Sequence, residues 1–101
     1  MNYSNSSGKK SASSQIVLRT AALAGVDVNP PSTGYAVLTI YDSATGTSVD
    51  GDILAEVEAD AGLVSCNHEF TRPVVCNKGI YAKLDQFGGS DATFIVRYYL
   101  I

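Results

Sequence analysis

The sequence predicts an all-β fold, namely a single small antiparallel β-sandwich or jelly-roll-like barrel with an extended N-terminal arm. Beyond residue 14, apolar and polar residues alternate with a period of two over most of the chain. Gly, Pro, Asn and Asp clusters divide this pattern into about seven runs, spaced as in sandwiches and small barrels. No run shows the apolar spacing of a strong amphipathic helix. At 101 residues, the chain has the length of one domain.

The first 14 residues form a Ser- and Asn-rich arm, and residues 15–101 form the predicted domain. Such an arm cannot bury enough apolar surface to offset the entropy lost when it becomes ordered. We therefore expect a neighbouring chain to hold it in place.

Alternation is clearest in five runs, at residues 15–20, 34–41, 53–59, 79–87 and 92–101. Each is predicted to be a strand with one inward face. The third run is expected to turn Ile53, Ala55, Val57 and Ala59 inward, although its Ala and Glu content would also suit a short helix. In the other runs, one face carries Ala36, Leu38 and Ile40, then Ile80, Ala82 and Leu84, and finally Phe94, Val96, Tyr98 and Leu100.

Two shorter β candidates, residues 62–67 and 69–76, lie between the third and fourth runs. Pro73 restricts the second candidate to a sheet edge or a bulge, because proline donates no ladder hydrogen bond. Turn residues separate the strands at 29–34, 42–46, 50–51, 77–79 and 88–90.

Charge argues against nucleic acid as a partner, and the length of the apolar runs argues against a membrane helix. Only 17% of residues are charged and the net charge is −3, so no basic stripe exists to bind nucleic acid. The apolar runs are too short for a membrane helix, and the polar N-terminus does not read as a secretory signal. A surface with few charges is either kept soluble by small polar groups or partly covered by a partner.

The two cysteines, Cys66 and Cys76, are expected to be free thiols in a chain made in a reducing cytosol. A disulfide would need their Cα atoms within about 7 Å. With His68 they number three possible zinc ligands, whereas a structural zinc site uses four. A Cys–His nucleophilic pair lacks an orienting third group, so His68 is assigned to a polar turn.

The acidic residues do not form a catalytic pattern. The segment from Asp42 to Asp52 lacks the ligand spacing of an EF-hand, and Asp42 and Asp50 are expected to cap backbone amides in a solvated turn. Glu56, Glu58 and Asp60 share one strand face, which suits a solvated or edge-protecting surface better than a glycosidase cleft. We expect no enzyme, no metal and no cofactor.

The tyrosines are more informative. Tyr35, Tyr41 and Tyr99 lie opposite the apolar faces of their strands, which suits either an interface or a sandwich filled on both sides. The apolar end of the last run must be internal to a sheet or covered by another chain. The candidate partner-binding residues are Tyr3, Lys9, Lys10, Tyr35, Tyr41, Tyr99 and Ile101.

About two thirds of the chain resembles the small β-sandwich proteins that decorate or cement the capsids of tailed bacteriophages. The resemblance is carried by residues 37–43 (VLTIYDS), 46–47 (GT), 70–74 (FTRPV), 78–84 (KGIYAKL) and 92–99 (ATFIVRYY). It implies a non-enzymatic virion protein on the capsid surface, bound to the major capsid protein at symmetry axes through a flexible arm, often as a trimer. This family has no motif of fixed functional residues.

Two other functions fit the same pattern. One is a receptor- or carbohydrate-binding β-sandwich whose ligand lies on the loops at residues 29–34, 42–52 and 88–91. The other is a different structural virion part, such as a tail or neck protein.

Overall fold

The computed structural model describes residues 5–46, 52–62 and 66–101, and these residues form an all-β protein. Its strands are β1 (Asn5–Ser6), β2 (Ser14–Val17), β3 (Ala21–Asn29), β4 (Tyr35–Asp42), β5 (Ile53–Asp60), β6 (Cys66–Cys76), β7 (Ile80–Phe87) and β8 (Thr93–Leu100). The predicted fold class is confirmed. In the described ranges, no helix is long and apolar enough to cross a membrane.

The strands form two antiparallel four-stranded sheets. The first sheet has the order β1-β8-β3-β6 and the second has the order β2-β7-β4-β5. The chain can be described as one long antiparallel hairpin that is folded over on itself. The strand pairs along this hairpin are β1–β8, β2–β7, β3–β6 and β4–β5. Folding of the hairpin adds the β3–β8 and β4–β7 pairs, which complete the two four-stranded sheets. This is the strand order of an eight-stranded jelly roll.

The core lies between the sheets and follows the predicted alternation. Phe94, Leu23, Leu38, Ile40 and Ile80 are its largest fully buried side chains. Because each strand presents every second residue to the opposite sheet, one apolar face per strand is enough to build this core.

Strand β3 was not among the predicted strands. Residues 21–26 of β3 are apolar or glycine on both faces and all are buried, and polar side chains occur only at Asp27 and Asn29. A strand covered on both faces shows no alternation of apolar and polar residues, so its period of two is lost.

The two short candidates around residue 70 form the single edge strand β6, with residues 63–65 outside the described part. Leu23 of β3 pairs with Val74 and Gly25 pairs with Glu69, so β6 carries extra residues between these two rungs. Pro73 lies in this irregular segment, which confirms its assignment to an edge and a bulge.

One predicted inward residue, Ile53, is wrong. The register of β4 against β5 shifts between Ile40 and Tyr41, which pair with Ala55 and Ile53. Leu54 is therefore an extra residue, and it packs against the core while Ile53 is exposed. A bulge reverses the side-chain alternation of the residues that precede it.

The described part of the arm runs along the chain's own first sheet. Asn5 pairs with Tyr98, Ser6 pairs with Arg97, and Lys10 forms a bridge with Phe94. β8 therefore lies between β1 and β3, which is one of the two arrangements considered for the apolar last run, while Leu100 and Ile101 at its end are exposed. That a neighbouring chain also contacts the arm stays a prediction.

Candidate interaction surfaces

The predicted partner-binding residues do not form one site. Tyr35 and Tyr41 lie on β4, in the second sheet, whereas Tyr99 lies on β8, in the first. Ile101 follows β8, and the described arm places Lys9 and Lys10 near Phe94, toward the other end of the first sheet. Tyr3 lies outside the described residues.

Tyr41 offers little surface to a partner, because only 5% of it is exposed. Its ring lies beside that of Tyr81, with the centroids 6.3 Å apart. Of the two interpretations of the tyrosines, packing within the protein is the one that applies to Tyr41, and we correct its assignment as a partner-binding residue.

Tyr35 is 39% exposed and stacks on Phe87, which is 48% exposed, with their ring centroids 4.8 Å apart. The two residues are direct cross-strand partners on β4 and β7. Next to them, the Thr33 hydroxyl donates to the Gly88 carbonyl, and the Asp91 carboxylate accepts from Ser32. The loops at 29–34 and 88–91 are thus tied together beside an exposed aromatic pair.

A group of exposed apolar side chains lies at one end of the first sheet, where β6 and β8 end and β3 begins. Ala21 pairs with Leu100, and Ala22 pairs with both Tyr99 and Val75. We call this surface the end patch; it consists of the exposed side chains of Leu18, Val75, Leu100 and Ile101 together with the half-buried Tyr99. Leu18 is 71% exposed and Val75 is 53% exposed, which is unusual for large apolar side chains grouped together.

Sequence reasoning placed Tyr99 and Ile101 in this surface but missed Leu18, Val75 and Phe87. Phe87 could have been found, since it continues the outward face of Tyr81 and Asp85 at a spacing of two. Leu18 and Val75 carried no such signal, because only the pairing of β3 with β6 brings Val75 to the end of the sheet where the chain enters β3 after Leu18.

A charged network crosses the outer face of the first sheet. Arg97 of β8 donates to Asp27 of β3 and to Glu69 of β6. Its guanidinium passes over Gly25, where an added Cβ would lie 2.7 Å from Arg97 Nη2. Asp27 Oδ2 and Glu69 Oε1 accept these bonds, whereas the buried Asp27 Oδ1 has no hydrogen-bond partner among the described residues. The network ties three strands of the sheet together through charge-assisted hydrogen bonds.

The edge strand β5 carries Glu56, Glu58 and Asp60 as an exposed acidic row. A side-chain hydrogen bond with Asp60 and the charge of Asp60 raise the pKa of Glu58 above its ordinary value of 4.5, and Glu56 adds to the effect. Like charges this close disfavour the ionised form. The row suits the predicted edge-protecting role, because charged edges resist pairing with other chains.

Replacing Glu58 by glutamine is expected to raise the free energy of unfolding at neutral pH. A folded-state pKa above the unfolded value means that the stabilising contribution of Glu58 is present below pH 4.5 and is lost as the pH rises through the folded pKa. The gain from Glu58→Gln should therefore vanish in acid. Urea unfolding over a pH series measures it, and an equal gain at every pH would contradict the assignment.

Asp91→Asn is a control that should change the free energy of unfolding at neutral pH in the opposite direction. The main-chain amide of Ser32, and then its hydroxyl, hold the pKa of Asp91 below its ordinary 3.8. The stabilising contribution of Asp91 is present above pH 3.8 and is lost as the pH falls through the folded pKa. The substitution should lower the free energy of unfolding at neutral pH, with the difference disappearing in acid.

Asp42 acts on the backbone, as the sequence indicated. Its carboxylate accepts hydrogen bonds from the amides of Asn77, Lys78 and Gly79, at 3.1, 2.8 and 3.3 Å. It therefore joins the end of β4 to the turn between β6 and β7. Asp50 lies outside the described residues.

The cysteines are both free, as expected. They lie at opposite ends of β6, against Val28 and Ala21 of β3, which places them roughly 20 Å apart. His68 lies on β6 and contacts the Phe70 ring, so its assignment to a turn is wrong. Over the ranges 5–46, 52–62 and 66–101, no three His, Cys, Asp or Glu side chains are grouped to hold a metal ion.

Only Cys66 is expected to react quickly with a thiol reagent in the folded protein. Burial, and then the nearby charge of Asp42, raise the pKa of the Cys76 thiol to about 11, so this thiol stays protonated. Mass spectrometry after brief alkylation should show one modified cysteine, and denaturant should expose the second. Equal labelling of both, or an intrachain disulfide under oxidation, would contradict the structure.

No family model matches the chain, and no curated protein or solved structure is significantly similar to it. Its function is therefore inferred from its own residues.

Proposed function

We propose that this chain is a structural, non-enzymatic virion protein that decorates the outside of a tailed-bacteriophage capsid and cements neighbouring coat subunits. Its direct partner is the major capsid protein, and it acts as a homo-oligomer, with a trimer favoured. The end patch carries this proposal, because exposed apolar side chains grouped at one end of a small domain mark a surface that a partner covers.

Two further features support a role in assembly. The jelly roll is a fold that viral capsid proteins use repeatedly, which is an argument by analogy of fold. The chain also has few charged residues, at 17%. Charged residues are depleted at the centres of protein interfaces, so a low share suits a surface that becomes covered.

The proposed mechanism is thermodynamic. A protein that binds only the assembled shell stabilises that shell by mass action. An oligomer that bridges several coat subunits gains avidity without any new type of contact. The arm adds main-chain hydrogen bonds to a neighbouring chain, in the way that strands are added to sheet edges.

A binding experiment tests the end patch. The double variant Leu18→Ser with Val75→Thr should bind empty shells of the encoding phage at least about tenfold more weakly, because two apolar side chains no longer become buried. Ile53→Thr is the control, since Ile53 is also exposed but lies on the second sheet. Equal co-sedimentation of the double variant and the wild type would contradict the proposed contact surface.

The Tyr35–Phe87 pair favours a second candidate function, carbohydrate binding at the neighbouring loops. Exposed aromatic rings offer apolar faces on which sugar rings can stack, and lectin domains include jelly rolls. Asp60, directly across from Tyr35, adds a hydrogen-bond acceptor nearby.

A glycan array distinguishes the two functions. Carbohydrate binding predicts specific hits that Phe87→Ala abolishes while Ile53→Thr keeps them. An array without hits, or hits unaffected by Phe87→Ala, would remove this candidate.

A further inference from the structure

The arm is held almost entirely through the backbone of β8. Ser7 N donates to the Val96 carbonyl at 2.8 Å, and Lys10 exchanges two main-chain hydrogen bonds with Phe94, at 2.8 and 2.9 Å. The Val96 amide donates to the Ser7 hydroxyl at 2.9 Å. All of these bonds use main-chain atoms of β8, so the β8 edge does not distinguish its own arm from that of another copy.

The arm gains little from docking on its own chain. Asn5, Ser6, Gly8 and Lys9 are exposed, and only Ser7 and Lys10 are half-buried. Little apolar surface is therefore removed from water to offset the entropy of ordering six residues. An element that makes few buried apolar contacts opens easily.

The connection between the arm and the domain is suited to exchange. Residues 11–13 are exposed and belong to no strand, and they lead from the first sheet to β2 in the second. Three extended residues span about 10 Å. Two copies that meet near this connection can therefore trade arms while keeping every hydrogen bond, which is the geometry of strand swapping.

We propose that the β8 edge is the acceptor site for the arm of a second copy of this chain, so that residues 5–10 exchange between neighbouring copies. This deepens the proposed function by naming the partner of the arm. The chain's own arm has an effective concentration in the millimolar range for a short flexible connection. The arm of a second copy competes with it only when the local concentration of copies is comparable, so exchange is favoured where copies are crowded together, as on a lattice.

Cross-linking between two populations of the full-length chain tests exchange without any shells. One population carries Asn5→Cys and the other Leu100→Cys, both with Cys66→Ser to remove the reactive native thiol. Asn5 pairs with Tyr98, two residues from Leu100, so a docked arm brings the two new thiols within reach of a short bis-maleimide. We expect a mixed product of twice the chain mass whose yield rises with concentration.

Two controls separate arm exchange from other contacts. Ser7→Pro removes the N–H that the Val96 carbonyl accepts and should reduce the mixed product to background. Pairing Asn5→Cys with Asp85→Cys, on the second sheet, sets that background. Circular dichroism checks that every variant is folded.

The proposal is overturned if the mixed product never exceeds the Asp85→Cys background up to millimolar chain, or if Ser7→Pro leaves it unchanged. Because only purified chain is used, either result leaves shell binding to be judged separately. Shell binding without exchange would mean that the arm docks on coat protein or stays on its own β8.

Discussion

Replacing Phe94 by alanine is expected to lower the free energy of unfolding by about 3–5 kcal/mol. Phe94 is fully buried, and it is among the largest side chains between the two sheets. Its backbone also bridges Lys10 of the arm. For a domain of this size, the loss corresponds to a fall in Tm of roughly 12 °C or more, measurable by thermal unfolding.

Phe87→Ala is the matched control, because it makes the same truncation on the outer face of the second sheet. Phe87 is half-exposed and chiefly loses its stacking with Tyr35, so a cost of about 1 kcal/mol is expected. Similar losses for the two variants would contradict the described core.

Replacing Gly34 by alanine is expected to lower the free energy of unfolding by about 3 kcal/mol or more. Gly34 has a φ of +77°, and an added Cβ would lie 1.9 Å from the Phe87 carbonyl oxygen. The left-handed conformation alone costs about 1–2 kcal/mol for alanine, and the overlap with the backbone adds a packing penalty. Urea unfolding measures the total.

Gly62→Ala separates the two contributions. Gly62 has a φ of +86°, but no atom lies within 4 Å of an added Cβ. It should therefore lose only the conformational part, about 1–2 kcal/mol. If Gly34→Ala costs no more than Gly62→Ala, the described close approach of Gly34 to the Phe87 carbonyl is wrong.

Most strands could be predicted because one of their faces meets water. The alternation at Ala36, Leu38 and Ile40 shows this directly, as these side chains face the core while their neighbours face outward. Residues 21–26 of β3 are buried on both faces, so their pattern does not separate them from any other apolar run. The bulge at Leu54 is equally invisible in the sequence, because a shift in pairing leaves no local residue signature.

The candidate surfaces were only partly predictable, because they depend on which strands become neighbours. The alternation of β8 indicates which face Tyr99 lies on. Its proximity to Val75, however, depends on β6 and β8 lying on either side of β3 at Ala22. The clamp of Arg97 on Asp27 and Glu69 likewise needs three strands and the gap at Gly25. The arm's docking uses main-chain atoms, which every sequence has.

The melting temperature of the shell tests the central proposal, a capsid cement, most directly. Under this proposal, empty shells of the phage whose genome carries this sequence are prepared without the protein. They are then heated alone and after addition of the wild-type chain or the Leu18→Ser, Val75→Thr variant. The account predicts a higher melting temperature with the wild type and a smaller rise with the variant at the same concentration. Identical melting with and without the wild-type chain would contradict it.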